Sequence, residues 1–276
     1  MFSSLLKYQY LQNAVMAGLL ACIVCGIIGV IIVEKRLVMM SGGIAHTSYG
    51  GVGLGYLIGI EPIIGAFIFS ILASLGIGFI RRRGQEKSDT VISLLWSLGM
   101  ALGILFVGLR KGYPPDLSSY LFGNILSVTR FDLLLIFALT LIVVIVIFLF
   151  FNSWKAYLFD EEFARIAGMK TALLEYILLA LIAMTIVVLI RVVGIIMALA
   201  LLTAPAAISA LIVRGLKQRM LASIVLGGFF IISGLWISYE LKISSGASIV
   251  IVSVISYIIV YVFSLVHRKI SLKKSL

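Results

Sequence analysis

Apolar residues in this chain come in long unbroken runs, not in the alternation of a half-buried strand or the one-sided stripe of a surface helix. Cutting the sequence wherever charge or turn chemistry interrupts it leaves nine segments, near 11–33, 37–59, 62–80, 91–109, 132–151, 171–190, 192–213, 220–239 and 247–266. A bilayer core about 30 Å thick is crossed by roughly 20 apolar residues in a helix, so each segment predicts a transmembrane span. The sixth and seventh share one run broken only by Arg191. An unbroken helix over that run would overshoot any bilayer, which places a turn at 190–192. Continuous rather than period-two hydrophobicity excludes a transmembrane β-barrel. The expectation is an all-α integral membrane protein: one transmembrane domain over 1–276, a bundle of about nine helices (eight or nine).

Composition agrees: 62% of the 276 residues are hydrophobic and 12% charged, against about 25% charged in soluble domains. The net charge of +11 resolves into a topology signal. Alternate loops and the tail after His267 hold sixteen of the 22 basic residues; Lys7, Arg110, Lys111, Arg130, Arg191 and Lys242 make up the other side. Basic residues mark the cytoplasmic side, so the chain is multi-pass in the cytoplasmic (inner) membrane, N-terminus outside and C-terminus in the cytoplasm. Scattered over short loops, these residues give no motive for a nucleic-acid partner. Leu19-Leu20-Ala21-Cys22 resembles a lipoprotein cleavage box, but the apolar run continues past Cys22, so a retained helix is expected. Cys22 and Cys25 read as small packing residues.

The second segment is dense in glycine, with Gly51, Gly55 and Gly59 at the small-x-x-x-small spacing of closely packed membrane helices. It therefore belongs at the centre of the bundle. His46 lies near its middle, with Gly42 and Gly50 on the same helical face. An imidazole at this depth reads as a transition-metal ligand on a path, or as a hydrogen-bonding core residue. One histidine cannot fill a coordination shell, and any ion it meets would borrow oxygens from Ser41, Thr47, Ser48 or open carbonyls.

The longest cytoplasmic loop, 157–170 at its centre, predicts a short amphipathic helix. Asp160 suits the N-cap, Glu161 and Glu162 the first turn, and Gly168 the stop. Phe159, Phe163, Ile166 and Ala167 form its apolar stripe. Acidic residues disfavour the anionic inner leaflet, so a protein groove is the expected partner. In the seventh segment Pro205, flanked by Ala204, Ala206 and Ala207, removes an N–H and predicts a kink, a gating element or a tolerated proline. No carboxylate lies deep in a segment to couple protons or sodium, no phosphate loop is present, and no hydrolase motif occurs. The chain is expected to be no enzyme: a channel, or a subunit driven from outside.

Together, the glycine-rich segment with a central His, the Phe-Asp-x-x-Phe-Ala-x-x-x-Gly loop and the Val-Gly-x-x-x-x-x-Ala-Leu-Leu-x-x-Pro-Ala-Ala segment resemble the metal-ion permeases of the ABC-3 family, over nearly the whole chain and in the right order. The resemblance implies a BtuC-like ABC importer permease architecture. It implies a homodimer in the lipid bilayer with the path along its axis, cytoplasmic ATP-binding-cassette ATPase subunits beneath, and an extracytoplasmic metal-binding protein above. Phe159, Asp160, Glu161, Glu162, Phe163, Ala164 and Gly168 match the ATPase-coupling helix, Pro205 the kinked span, with Gly42 and Gly43 further flexible positions, and His46 the path histidine. Many members place an Asp four residues before that histidine; here the position is Gly42. The implied cargo is a divalent metal ion, zinc or manganese, with no permanently bound cofactor. The alternatives are a permease for an iron chelate or cobalamin-like cofactor, and an unpowered channel or structural membrane subunit. Glu61, Asp116 and Glu240 face outward, to attract cations, receive the binding protein or merely meet solvent.

Overall fold

The computed structural model describes residues 8–82, 88–110, 120–121 and 123–274, with backbone alone for Ser88 and 267–274. Eleven helices are described: α1 (Gln9–Glu34), α2 (Val38–Ile58), α3 (Pro62–Arg82), α4 (Ser88–Leu109), α5 (Arg130–Leu149), α6 (Phe151–Phe159), α7 (Glu161–Ile166), α8 (Thr171–Val193), α9 (Ile195–Ile212), α10 (Leu216–Leu241) and α11 (Ser245–Lys274). Among the described residues there is no strand. Asp116 and residues 83–87 of the second basic loop lie outside the described residues.

Eight of these helices are long and apolar enough to cross a membrane, and α2 is not among them. It is as long as α3, but its glycines with Ser, Thr and His keep it short of the hydropathy that the other eight reach. Burial compensates, since α2 lies between α3 and α4 with fourteen of its 21 residues buried. A Cβ at Gly51 would run into the backbone of Gly65 and Ala66, and one at Gly99 into that of Thr47. These glycines let three backbones touch where larger side chains would hold them apart. Gly59 departs from the packing expectation: it is the left-handed C-cap of α2 (φ 77°) with open space around it.

In a second group α1, α9 and α10 pack mutually and α11 lies against α9 and α10; α8 with α5 joins this group to the first. The most buried spans are α1 and α8, which form the middle of the core; α11 is almost entirely peripheral.

The turn expected at 190–192 lies instead at Gly194 (φ 81°, ψ 164°). That conformation suits glycine and little else. Arg191 stays helical in the last turn of α8, where carboxylates neutralise it. Upstream, α5 starts at Arg130 rather than 132, behind a reciprocal cap in which Thr129 Oγ1 accepts from the Asp132 N–H and the Asp132 carboxylate accepts from the Thr129 N–H. Residues 152–159, expected as loop, lie in α6, which begins at Phe151. Three large side chains, Trp154, Tyr157 and Leu158, pull it onto the bundle. Pro205 lies within α9, which runs on through it to Ile212.

Candidate transport path and coupling surface

His46 sits on α2 facing α4, half-buried. Its ring stacks on Trp96 with centroids 4.1 Å apart and planes 11° from parallel, and its Nδ1 lies 3.4 Å from Met100 Sδ. Trp96 and Met100 are one turn apart on α4, so one helical face supplies both contacts. A Cβ at Gly42 would come to 3.3 Å from Trp96 Cζ3, and one at Gly43 to 2.6 Å from Ile92 Cγ2. The two glycines are thus where α4 approaches α2. Thr47 is spent internally, its hydroxyl donating to the Gly43 and Leu95 carbonyls, while Ser41 and Ser48 donate to Val38 and Ala45. Those hydroxyl groups are therefore not gathered around His46. Among the described residues no group of three or more His, Cys, Asp or Glu side chains converges as a metal cluster. Cys22 and Cys25 are buried free thiols in the packing of α1.

The second feature is the short helix α7 (Glu161–Ile166). Asp160 caps it, its Oδ1 accepting from the Phe163 N–H at 2.9 Å. Gly168, at φ 81°, turns the chain back toward α8. Ala164 is fully buried against the bundle, whereas Phe159, Phe163 and Ile166 are 66, 65 and 79% exposed. Such an exposed apolar row, spanning the end of α6 and α7 and fixed from behind, is an interaction surface in form. Glu162 reaches Arg165 on the solvent side, an exposed pair of little energetic weight.

The base of α7 is pinned by charges that sequence reasoning left unassigned. Lys35, in the short turn between α1 and α2, binds Glu161 at 2.9 Å and lies over the Tyr157 ring at 3.6 Å. Arg82, at the end of α3, binds the buried Glu175 of α8 at 3.0 Å, and Arg81 approaches the same carboxylate at 4.0 Å. Tyr157 lies within this group. Burial first, and then the negative charges of Glu175 and Glu161, push its phenol well above the usual tyrosine range, so the ring stays neutral under the Lys35 ammonium. Arg219 similarly ties α10 to Glu34 at 2.7 Å.

On the opposite side, Arg191 bridges two carboxylates. Its Nε donates to Asp132 Oδ1 at 2.7 Å and its Nη1 to Glu61 Oε1 at 2.6 Å. Beside it the Tyr56 and Tyr120 hydroxyls meet at 3.1 Å. Burial and that hydrogen bond raise the Tyr120 phenol out of its ordinary range. These residues line a cavity of about 560 Å³. Glu61 is exposed while tied into this cluster, and Glu240 is exposed as well. Asp132 had no sequence signal beyond its capping position. That Glu61, Asp132 and Arg191 share one side was nonetheless available from the charge count of the loops.

Comparison with known proteins places this arrangement. The family model described as ABC 3 transport family matches residues 7–264. An uncharacterized membrane protein of Synechocystis sp. is 43% identical over 94% of this chain and 92% of its own length. The manganese transport system membrane protein MntC of Halalkalibacterium halodurans is 33% identical over 95% and 90%. Among solved structures, PsaBC from Streptococcus pneumoniae in complex with Fab superposes with a TM-score of 0.85 at 32% identity, covering 94% of both chains. A putative metal-chelate type ABC transporter in an inward-facing conformation shares the fold at a TM-score of 0.71 and 16% identity, over 94% of this chain and 87% of that one. With nine long helices packed together among its described residues and the exposed row carried by α7, the chain belongs to the ABC 3 transport family, as a membrane permease subunit and not an enzyme.

Proposed function

We propose that the chain is the permease of an ATP-driven importer of divalent transition-metal ions, zinc or manganese, working as a homodimer. Its N-terminus lies outside and its C-terminus in the cytoplasm, as the basic loops require. An extracytoplasmic metal-binding protein delivers the ion to the outer face, and the ion passes His46 on α2. ATPase subunits receive α7 in a groove, and ATP binding drives alternation between outward-open and inward-open states, with Gly42, Gly43 and Pro205 at positions where helices approach or bend.

The observation that carries this reading is the apolar row of Phe159 at the end of α6 and Phe163 and Ile166 on α7, held outward while Trp154 and Tyr157 of α6 and Ala164 of α7 are buried behind it. Burying one such side chain contributes about 1.5–3 kcal/mol, so a groove that covers all three gains a firm grip. The relatives named as manganese transport proteins support the class of cargo. In proteoliposomes containing the permease and its ATPase, supplied with the binding protein, Phe163→Asp is expected to abolish ATP-driven metal uptake and loosen ATPase association while the permease remains monodisperse. Undiminished uptake and association in that variant would remove the coupling assignment.

A further inference from the structure

A groove lies apart from the helices around His46. Both α5 and α10 pack on α1, with no comparable contact between the two. Gly26 of α1 brings the α10 backbone close at Ile224, where an added Cβ would strike it, while α5 stands off across the gap. The resulting groove, of about 210 Å³, is lined by Ile27, Ile147, Met220 and Ile224 and opens beside the exposed Phe148. It follows α10 from Lys217 to Ile224, a helix length of about 10 Å that fits within the roughly 15 Å depth of one leaflet. Of the residues lining it, only Lys217 is polar. The Lys217 Nζ sits 4.7 Å from the centre of the Phe151 ring, at the end of the groove where α6 begins.

Charge at that end is one-sided. Lys217 and Arg214 are exposed, and among the described residues neither forms an ion pair; Glu34, at the adjoining end of α1, is already bonded to Arg219. The first turn of α10 holds no acid and no capping side chain, although that end of a helix favours negative charge. A free phosphate would use only the cations, and an apolar protein segment only the groove. An anionic phospholipid uses both, as basic pockets between membrane spans do for such head groups. We propose that the groove between α5 and α10 binds one anionic phospholipid, its phosphate held by Lys217 and Arg214 and an acyl chain laid along Ile147, Met220 and Ile224. The proposal goes beyond the importer reading and needs only that α1, α5 and α10 span a bilayer. A lipid seated there bridges α10 to the junction of α5 and α6, the root of the segment that presents Phe159 and Phe163.

The test counts lipids retained by the full-length chain in native mass spectrometry, after release from nanodiscs of phosphatidylcholine and phosphatidylglycerol with identical acyl chains. One phosphatidylglycerol per chain is expected to be held in preference to phosphatidylcholine by about tenfold, and millimolar inorganic phosphate should not displace it. Lys217→Gln should weaken phosphatidylglycerol retention about fivefold, and adding Arg214→Gln should weaken it further. Lys170→Gln, which removes one positive charge from the turn before α8 at the same end of the bundle, should leave retention unchanged. Val144→Phe narrows the groove and should weaken retention of both lipids, with thermal melts of each variant in detergent reporting that the fold persists. Equal retention of the two lipids, displacement by inorganic phosphate, equal losses in Lys217→Gln and Lys170→Gln, or retention untouched by Val144→Phe in the folded protein would each overturn the proposal.

Discussion

Lys35 Nζ lies 2.9 Å from Glu161 Oε2, which fastens the turn leading into the His46 helix to the base of α7. Glu161 is 41% exposed, so as a contribution to stability the pair is minor. On the coupling proposed above, this contact would carry a displacement of α7 to the turn that precedes α2. Reversing either charge, Lys35→Glu or Glu161→Lys, is expected to lower the amount of metal imported per ATP hydrolysed by roughly tenfold without releasing the ATPase. The double reversal should recover most of the loss. Uptake per ATP unchanged in both single variants would show that force travels by another route.

Arg191 neutralises Asp132, whose side chain is 8% exposed, and Glu61 on the outer side. Arg191→Met leaves a buried carboxylate with only Thr129 for company. The expected loss is about 1–3 kcal/mol of stability, seen as a lower Tm of the purified protein. Adding Asp132→Asn removes the unpaired charge and should return at least half of the loss. A variant as stable as the parent would mean that water reaches Asp132 freely.

Glycines in and around α2 are not equivalent. At Gly51 an added methyl group meets the backbone of α3, which cannot yield as a side chain can, so Gly51→Ala is expected to cost about 1–3 kcal/mol and sharply reduce the folded yield. Gly76, in the middle of α3, has nothing within 4 Å of the corresponding point. There Ala should be neutral or slightly stabilising, by up to about 1 kcal/mol. Size-exclusion profiles and thermal melts of the two variants check the contrast.

Gly42→Asp sets a carboxylate against the Trp96 indole at a spacing that requires the ring to shift by a few tenths of an ångström. The stack on His46 should loosen, visible as a change in Trp96 emission. Manganese should then bind the purified protein several-fold more tightly than it binds the parent, as read by calorimetric titration. Emission and binding both identical to the parent would mean that the new carboxylate points away from the ring.

Much of the fold was legible because bilayer hydropathy acts on each segment separately. The nine long helices, the cap at Asp160 and the stop at Gly168 are all local consequences of residue type. What was not legible is what joins distant segments. Lys35 and Glu161 are 126 positions apart, Arg191 and Glu61 130, and His46 and Met100 54. No spacing rule connects such pairs. The misplaced turn at 190–192 has the same origin: a single Arg looked like an interruption because its two carboxylate partners are invisible in a linear view. At Gly194 the informative residue was the glycine.

The low hydropathy of α2 also bears on how the protein is made. A helix carrying this many polar and glycine residues gains little by leaving the insertion machinery for lipid on its own, whereas α1 before it and α3 after it are strongly apolar. Its stability in the membrane comes from backbone contact with α3 and α4, which do not exist until both have been synthesised. The segment that bears His46 is thus lodged by its later neighbours, and a ribosome must extend beyond Leu109 before the path has walls.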